Sequence, residues 1–151
     1  MTVLEAEIVK AVPAAVAPAF VRRVLARAAT VPEVAARLPE GTSTVAVRIT
    51  SDEEMQQLNH AYAAEDHITD VLSFTGTDDH LGDIAISWPA TQRQAAEHGQ
   101  DDKTELALLV VHGMLHLLGW DHATRAERKE MTRLSHEALR QSNITLAPGR
   151  L

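Results

Sequence analysis

Cysteine is absent from all 151 residues. That excludes a disulfide framework and a thiolate metal site together, so any bound ion must be held by histidine or carboxylate. An excess of positive charge is missing too. Fourteen Lys and Arg stand against 21 Asp and Glu, a formal charge of -7, which disfavours broad electrostatic attraction to nucleic acid because that affinity comes from cations neutralising phosphates. Any such contact must rest on a local cluster, for which Arg22, Arg23, Arg27 and Arg48 are the candidates. Long apolar runs are lacking as well: the longest, over 106–120, is too short and too polar to span a bilayer. Residues 1–7 carry neither a basic leader nor an apolar run, so no signal peptide and a cytoplasmic location are expected.

What is present is ordinary globular composition, 45% hydrophobic and 23% charged, and one domain over 1–151 is expected, with a core at about 4–140 and a loose tail at 144–151. Residues 4–9 alternate Leu-Glu-Ala-Glu-Ile-Val and read as a strand, followed by Pro13, Pro18 and a helix over 20–29. Pro32, Pro39 and Gly41 punctuate the stretch before a second strand at 44–50, where Val45, Val47 and Ile49 share one face and Ala46 and Arg48 the other. Ser51 with Glu54 forms a capping box for a helix whose apolar positions are Met55, Leu58 and Tyr62.

Strands at 70–74 and 81–88 flank a turn-prone segment and can pair as a hairpin. Pro89 suits the first turn of a helix reaching about His98. Asp102 and Glu105 cap a helix that is greasy nearly all round and therefore central, and Thr124 with Glu127 opens a last helix to about Arg140. The order predicts a single-domain α/β (α+β) fold, a mixed sheet of about four strands with helices packed on it, and a metal site at the central helix.

That site is the run from His112 to His122. On a helix His112 and His116 share a face, and Gly119, free to take positive φ, can end the helix and return His122 as a third ligand. Three imidazoles with a water in the fourth position suit a catalytic zinc or a similar divalent ion, and the reaction it favours is hydrolysis. His60, His67, His80, His98 and His136 match no ligand position. Asp121 and Asp83 are candidate proton acceptors or partners for the ligand imidazoles, while Asp70 and Ser73 read as structural. The spacing is shared with metzincin metallopeptidases, but those carry Glu directly after the first His as general base, and here that residue is Gly113. A metallopeptidase-like hydrolase is thus the least favoured reading.

The run His-Gly-x-Leu-His-Leu-Leu-Gly-x-Asp-His closely resembles the signature of the YbeY family, bacterial metal-dependent endoribonucleases of ribosomal RNA maturation. Leu58-Asn59-His60-Ala61-Tyr62, the segment Thr69-Asp70-Val71-Leu72-Ser73-Phe74 and Leu81-Gly82-Asp83-Ile84 are similar to its other signatures, in order, over about 45–140. The resemblance implies His112, His116 and His122 as ligands of one zinc-like ion. It also implies action on single-stranded RNA, chiefly the 3′ end of the small-subunit ribosomal RNA, and a role in ribosome quality control; no DNA or membrane partner is expected. Arg48 sits where the family commonly has Arg and is the candidate substrate-binding residue. Two positions depart from the pattern: Ala63 stands where the family usually has an Arg facing the substrate phosphate, and Ile68 replaces a common Pro. Loss of a phosphate clamp weakens transition-state stabilisation, so a metal-binding ribosome assembly factor with little nuclease activity is the alternative.

Overall fold

The computed structural model describes residues 1–62 and 70–151. Along the chain run β1 (Thr2–Lys10), α1 (Pro18–Ala28), α2 (Pro32–Arg37), β2 (Gly41–Thr50), α3 (Asp52–Tyr62), β3 (Val71–Thr75), β4 (His80–Ser87), α4 (Trp88–His98), α5 (Asp102–Leu117) and α6 (Arg125–Arg140). The strands form one sheet in the order β1-β2-β4-β3, with β1 and β4 parallel to β2 and β3 antiparallel to β4. This is the mixed four-stranded sheet expected, including the hairpin.

Strand alternation sorts residues between two faces. Val45, Val47 and Ile49 of β2 and Ile84 and Ile86 of β4 join the main core beneath α5, while α1 and α6 pack on α5 in turn. The opposite face is covered by α3, where Met55, Leu72 and Ala85 form a second cluster flanked by Leu58 and Phe74. Tyr62, expected on the buried stripe of α3, is 66% exposed and meets the Phe74 ring edge-to-face, with centroids 5.2 Å apart.

Central placement of α5 follows from its composition. Every residue from Glu105 to Leu115 is buried, so the helix has no solvent face along its middle. Gly113 is what lets it lie so close to the sheet: a Cβ there would come 2.8 Å from Ile84 Cγ2 and 3.1 Å from its Cδ1. Gly113→Ala should therefore cost about 1–3 kcal/mol by overpacking, read as a lower denaturation midpoint at unchanged m; a neutral result would mean that β4 and α5 separate freely.

Three expectations are corrected. The segment punctuated by Pro32 and Pro39 contains a helix, α2, because Pro32 fits a first helical turn and Val34, fully buried, anchors it. The tail at 144–151 is docked, not loose. Leu146 is 7% exposed in the main core, the Ala147 N–H donates to Gln100 Oε1 at 2.8 Å, and Arg150 pairs with Glu105 Oε2 at 2.7 Å. Asp102 and Glu105 are expected to cap α5, but Asp101 does so, accepting from the Thr104 N–H at 2.7 Å, and both expected residues fall within the first turn. Glu105 is fully buried and receives the Arg150 guanidinium through both carboxylate oxygens.

Asp70, 5% exposed, lies in the same buried region. Burial pushes its carboxyl above the ordinary range and the charge of Glu105 adds to this, while a backbone hydrogen bond and the charge of Arg150 oppose it. A group whose pKa is raised by folding favours the fold fully below its unfolded pKa and loses that contribution as pH rises through the folded value. Asp70→Asn should accordingly melt above wild type at pH 7, with the gap closing as pH falls towards about 3.9. Equal melting temperatures across that range would contradict the burial of an ionised carboxylate.

Candidate metal centre

The end of α5 is shaped to bring a third imidazole back to the helix. Gly119 takes φ +99°, its N–H donates to the His116 carbonyl at 3.0 Å, and the Trp120 N–H donates to the Leu115 carbonyl at 3.0 Å. These two bonds are the Schellman pattern, in which a left-handed residue satisfies the last carbonyls of a helix. From α2, Arg37 donates to the Leu118 carbonyl at 3.2 Å and lays its guanidinium 3.7 Å over the Trp120 ring. The unanticipated helix thus braces the turn. On the far side Thr124 and Glu127 form the expected capping box, starting α6 directly after His122. Gly119→Ala would force a side chain into the left-handed region at about 1–3 kcal/mol; the expected readout is weaker zinc binding together with lower stability.

Inside this frame the three rings converge. His112 is 8% exposed, and the ring centroids of His112, His116 and His122 lie 4.8–5.3 Å apart. One ring nitrogen from each falls within 4.8 Å of the others, and His116 Nε2 is 3.3 Å from His122 Nε2. Zinc–nitrogen bonds of about 2.0–2.1 Å at tetrahedral angles place ligand nitrogens roughly 3.3–3.4 Å apart. The His116–His122 pair is at that spacing, the donor set suits a zinc-like ion, and the cluster could hold one.

Of the two carboxylates expected here, the fold brings only one alongside. Asp121 Oδ1 accepts from the backbone N–H of His122 at 2.7 Å and stands 3.8 Å from His122 Nδ1, beyond hydrogen-bond range. It fixes the turn that carries the third histidine. Asp83 lies opposite Ala46 on the outer face of the sheet, away from α5, where its carboxylate meets His80 Nε2 at 3.2 Å. Arg48 is on that outer face as well, in a two-pronged pair with Glu54. Both line a groove with Glu7, Leu58 and Phe74, and neither joins the histidines. Ala63, His67, Ile68 and Thr69 lie outside the described residues. Ser73, read as structural, donates to the Gly113 carbonyl at 3.3 Å and ties β3 to α5.

A pocket of about 410 Å³ opens against His112 and His122, lined further by Ala123, Arg128, Met131, Thr132, Ser135 and Leu151. Sequence reading missed these residues. Their one signal is the spacing 128, 131, 132 and 135, a single helical face immediately after the third histidine. The metzincin reading meets a steric reason as well: the position after His112 lies against Ile84 and admits only glycine without displacement.

Fold and site together define an α/β protein in which a central helix and its returning turn gather three imidazoles, two of which, His112 and His122, line a pocket. The family model described as Endoribonuclease YbeY matches residues 7–143. The chain belongs to the YbeY endoribonuclease family. Among its relatives, an endoribonuclease YbeY of Halalkalibacterium halodurans is 41% identical over 75% of this chain and 77% of its own. One from a Roseiflexus species is 45% identical over 70% of this chain and 74% of its own. A Thermotoga maritima protein known from its solution structure shares the fold, with a TM-score of 0.58 at 23% identity over 95% of this chain and 98% of its own. Among the described residues no helix is long and apolar enough to cross a membrane.

Proposed function

We propose that the protein is a zinc-dependent endoribonuclease that cuts single-stranded RNA in the cytoplasm, acting on the 3′ end of small-subunit ribosomal RNA and in ribosome quality control. The observation that carries this reading is the approach of His112, His116 and His122 nitrogens to within 4.8 Å of one another in a member of this family. A bound zinc supplies Lewis acidity towards a phosphoryl oxygen and lowers the pKa of water it holds. The chain's own residues do the rest. His112 and His116 are held rigidly by the buried helix, Asp121 fixes the His122 backbone, and Gly113 keeps α5 seated on β4. No carboxylate follows the first histidine, which suits a phosphodiester, whose attacking group can be a ribose 2′-hydroxyl or water, better than a peptide. The test is cleavage of a single-stranded ribosomal RNA fragment by the zinc-loaded chain, with loss on chelation and no cutting of the duplex. Chelator-sensitive peptide hydrolysis without RNA cleavage would sink the proposal.

A second reading, a metal-binding assembly factor with weak nuclease activity, is favoured by Ala63. Under it Ala63→Arg raises the cleavage rate by about 10²–10³, the worth of one preorganised donor, while ribosome co-sedimentation is unchanged. Strong wild-type cleavage that Ala63→Arg leaves unchanged would eliminate it.

A further inference from the structure

The pocket beside the histidines is not a feature of metal binding as such, and its chemistry is specific. Two of its walls are ligand rings, His112 and His122, so whatever fills it lies against the reacting centre. Its floor is apolar: Met131 is 3% exposed, and the hydroxyl of Ser135, 2% exposed, is turned away to donate to the Met131 carbonyl at 2.7 Å. Ala123 and Leu151 close the sides. Arg128, exposed, donates from Nη1 to the Ala123 carbonyl at 3.3 Å and brings a planar guanidinium to the lining. In a chain of net charge -7 the lining, among the described residues, carries one guanidinium and no acidic side chain. The volume, about 410 Å³, is in the roughly 300–1,000 Å³ range of small-molecule pockets, and far more than a phosphate group alone would fill.

An apolar slot with a guanidinium plane at its edge and a metal-binding cluster at its end matches one nucleotide. The base takes the apolar slot and stacks under the arginine, as unstacked RNA bases do on guanidinium planes, and the phosphate points to the histidines. We propose that this pocket binds the nucleoside adjoining the scissile phosphate, with Arg128, Met131 and Thr132 as its base-holding residues. The proposal rests on the nuclease reading for its biological use but not for its test. The docked C-terminal segment, anchored by Arg150 on Glu105, supplies the outer wall through Leu151.

The experiment is a titration of the full-length, zinc-loaded chain with adenosine and uridine 5′-monophosphates, followed by amide chemical shifts and calorimetry, on wild type, Arg128→Gln and Thr132→Phe. Zinc content, determined in parallel, should stay unchanged in both variants. Amide shifts at Ala123, Arg128, Thr132 and Ser135 are expected, and both variants should weaken nucleotide binding by roughly tenfold or more, the size of one lost base-stacking contact. In cleavage assays both should raise KM more than they lower kcat. Arg128 is exposed, so its variant tests the pocket even if Thr132→Phe folds poorly. Nucleotide binding in the pocket without RNA cleavage would leave this inference standing and remove the nuclease reading. Cleavage with nucleotide affinity and KM within about twofold of wild type in Arg128→Gln, or shifts confined to residues outside the pocket, would overturn the inference and leave the nuclease.

Discussion

His116→Ala is expected to abolish zinc retention and RNA cleavage while leaving the metal-free fold as stable as wild type. His116 is the link of the cluster: it shares the α5 face with His112, and its Nε2 stands 3.3 Å from that of His122. Without it the remaining pair spans a helix and a turn, and two imidazoles do not fill the tetrahedral set that zinc prefers. Loss of an outer supporting group alone costs roughly 10–100-fold in metal affinity, so loss of a direct ligand should exceed that. Stability separates this from simple unfolding. Free zinc at 100 times its Kd stabilises the folded chain by about 2.7 kcal/mol, roughly 5–11 °C in Tm for a domain of this size. Wild type should show that rise and His116→Ala should not, with the two melting together in chelator. One zinc per chain retained by the variant would show that the ligands are other residues.

How much of this site was legible depends on the range of the interactions that build it. His112, His116, Gly119 and His122 fall within a single helix end, so local geometry alone places them, and the same holds for the Thr124–Glu127 cap and the hairpin turn. Arg48 was correctly set opposite Val45, Val47 and Ile49 by alternation. Nothing local reveals which face α5 covers, and it is that choice which removes Arg48 and Asp83 from the cluster. The α6 wall of the pocket depends on a helix crossing, the brace from Arg37 to Leu118 on a contact 81 residues apart in sequence. The docked tail escaped notice because its anchor, Glu105, reads in sequence as a first-turn helix acid. Only the fold turns it inward.

That anchor yields the largest expected loss of stability. Glu105 is fully buried, and its partner's side chain is 11% exposed, with Nε of Arg150 3.0 Å from Glu105 Oε1 and Nη2 2.7 Å from Oε2. Gln100 adds a third donor at 2.9 Å to Oε1. Removing Arg150 leaves a buried carboxylate beside the equally buried Asp70, and breaking such a pair from one side costs about 3–5 kcal/mol. Arg150→Ala should therefore lower the denaturation free energy by about that amount at pH 7. The double variant Glu105→Gln with Arg150→Met should recover most of the loss, since a neutral pair carries no unpaired charge. The same change should reach function through Leu151: freed of Arg150, the tail no longer walls the pocket, so nucleotide affinity falls while zinc stoichiometry holds at one per chain. If Arg150→Ala is neutral, or the double variant is no better than the single, the ion pair is not what docks the C-terminal segment.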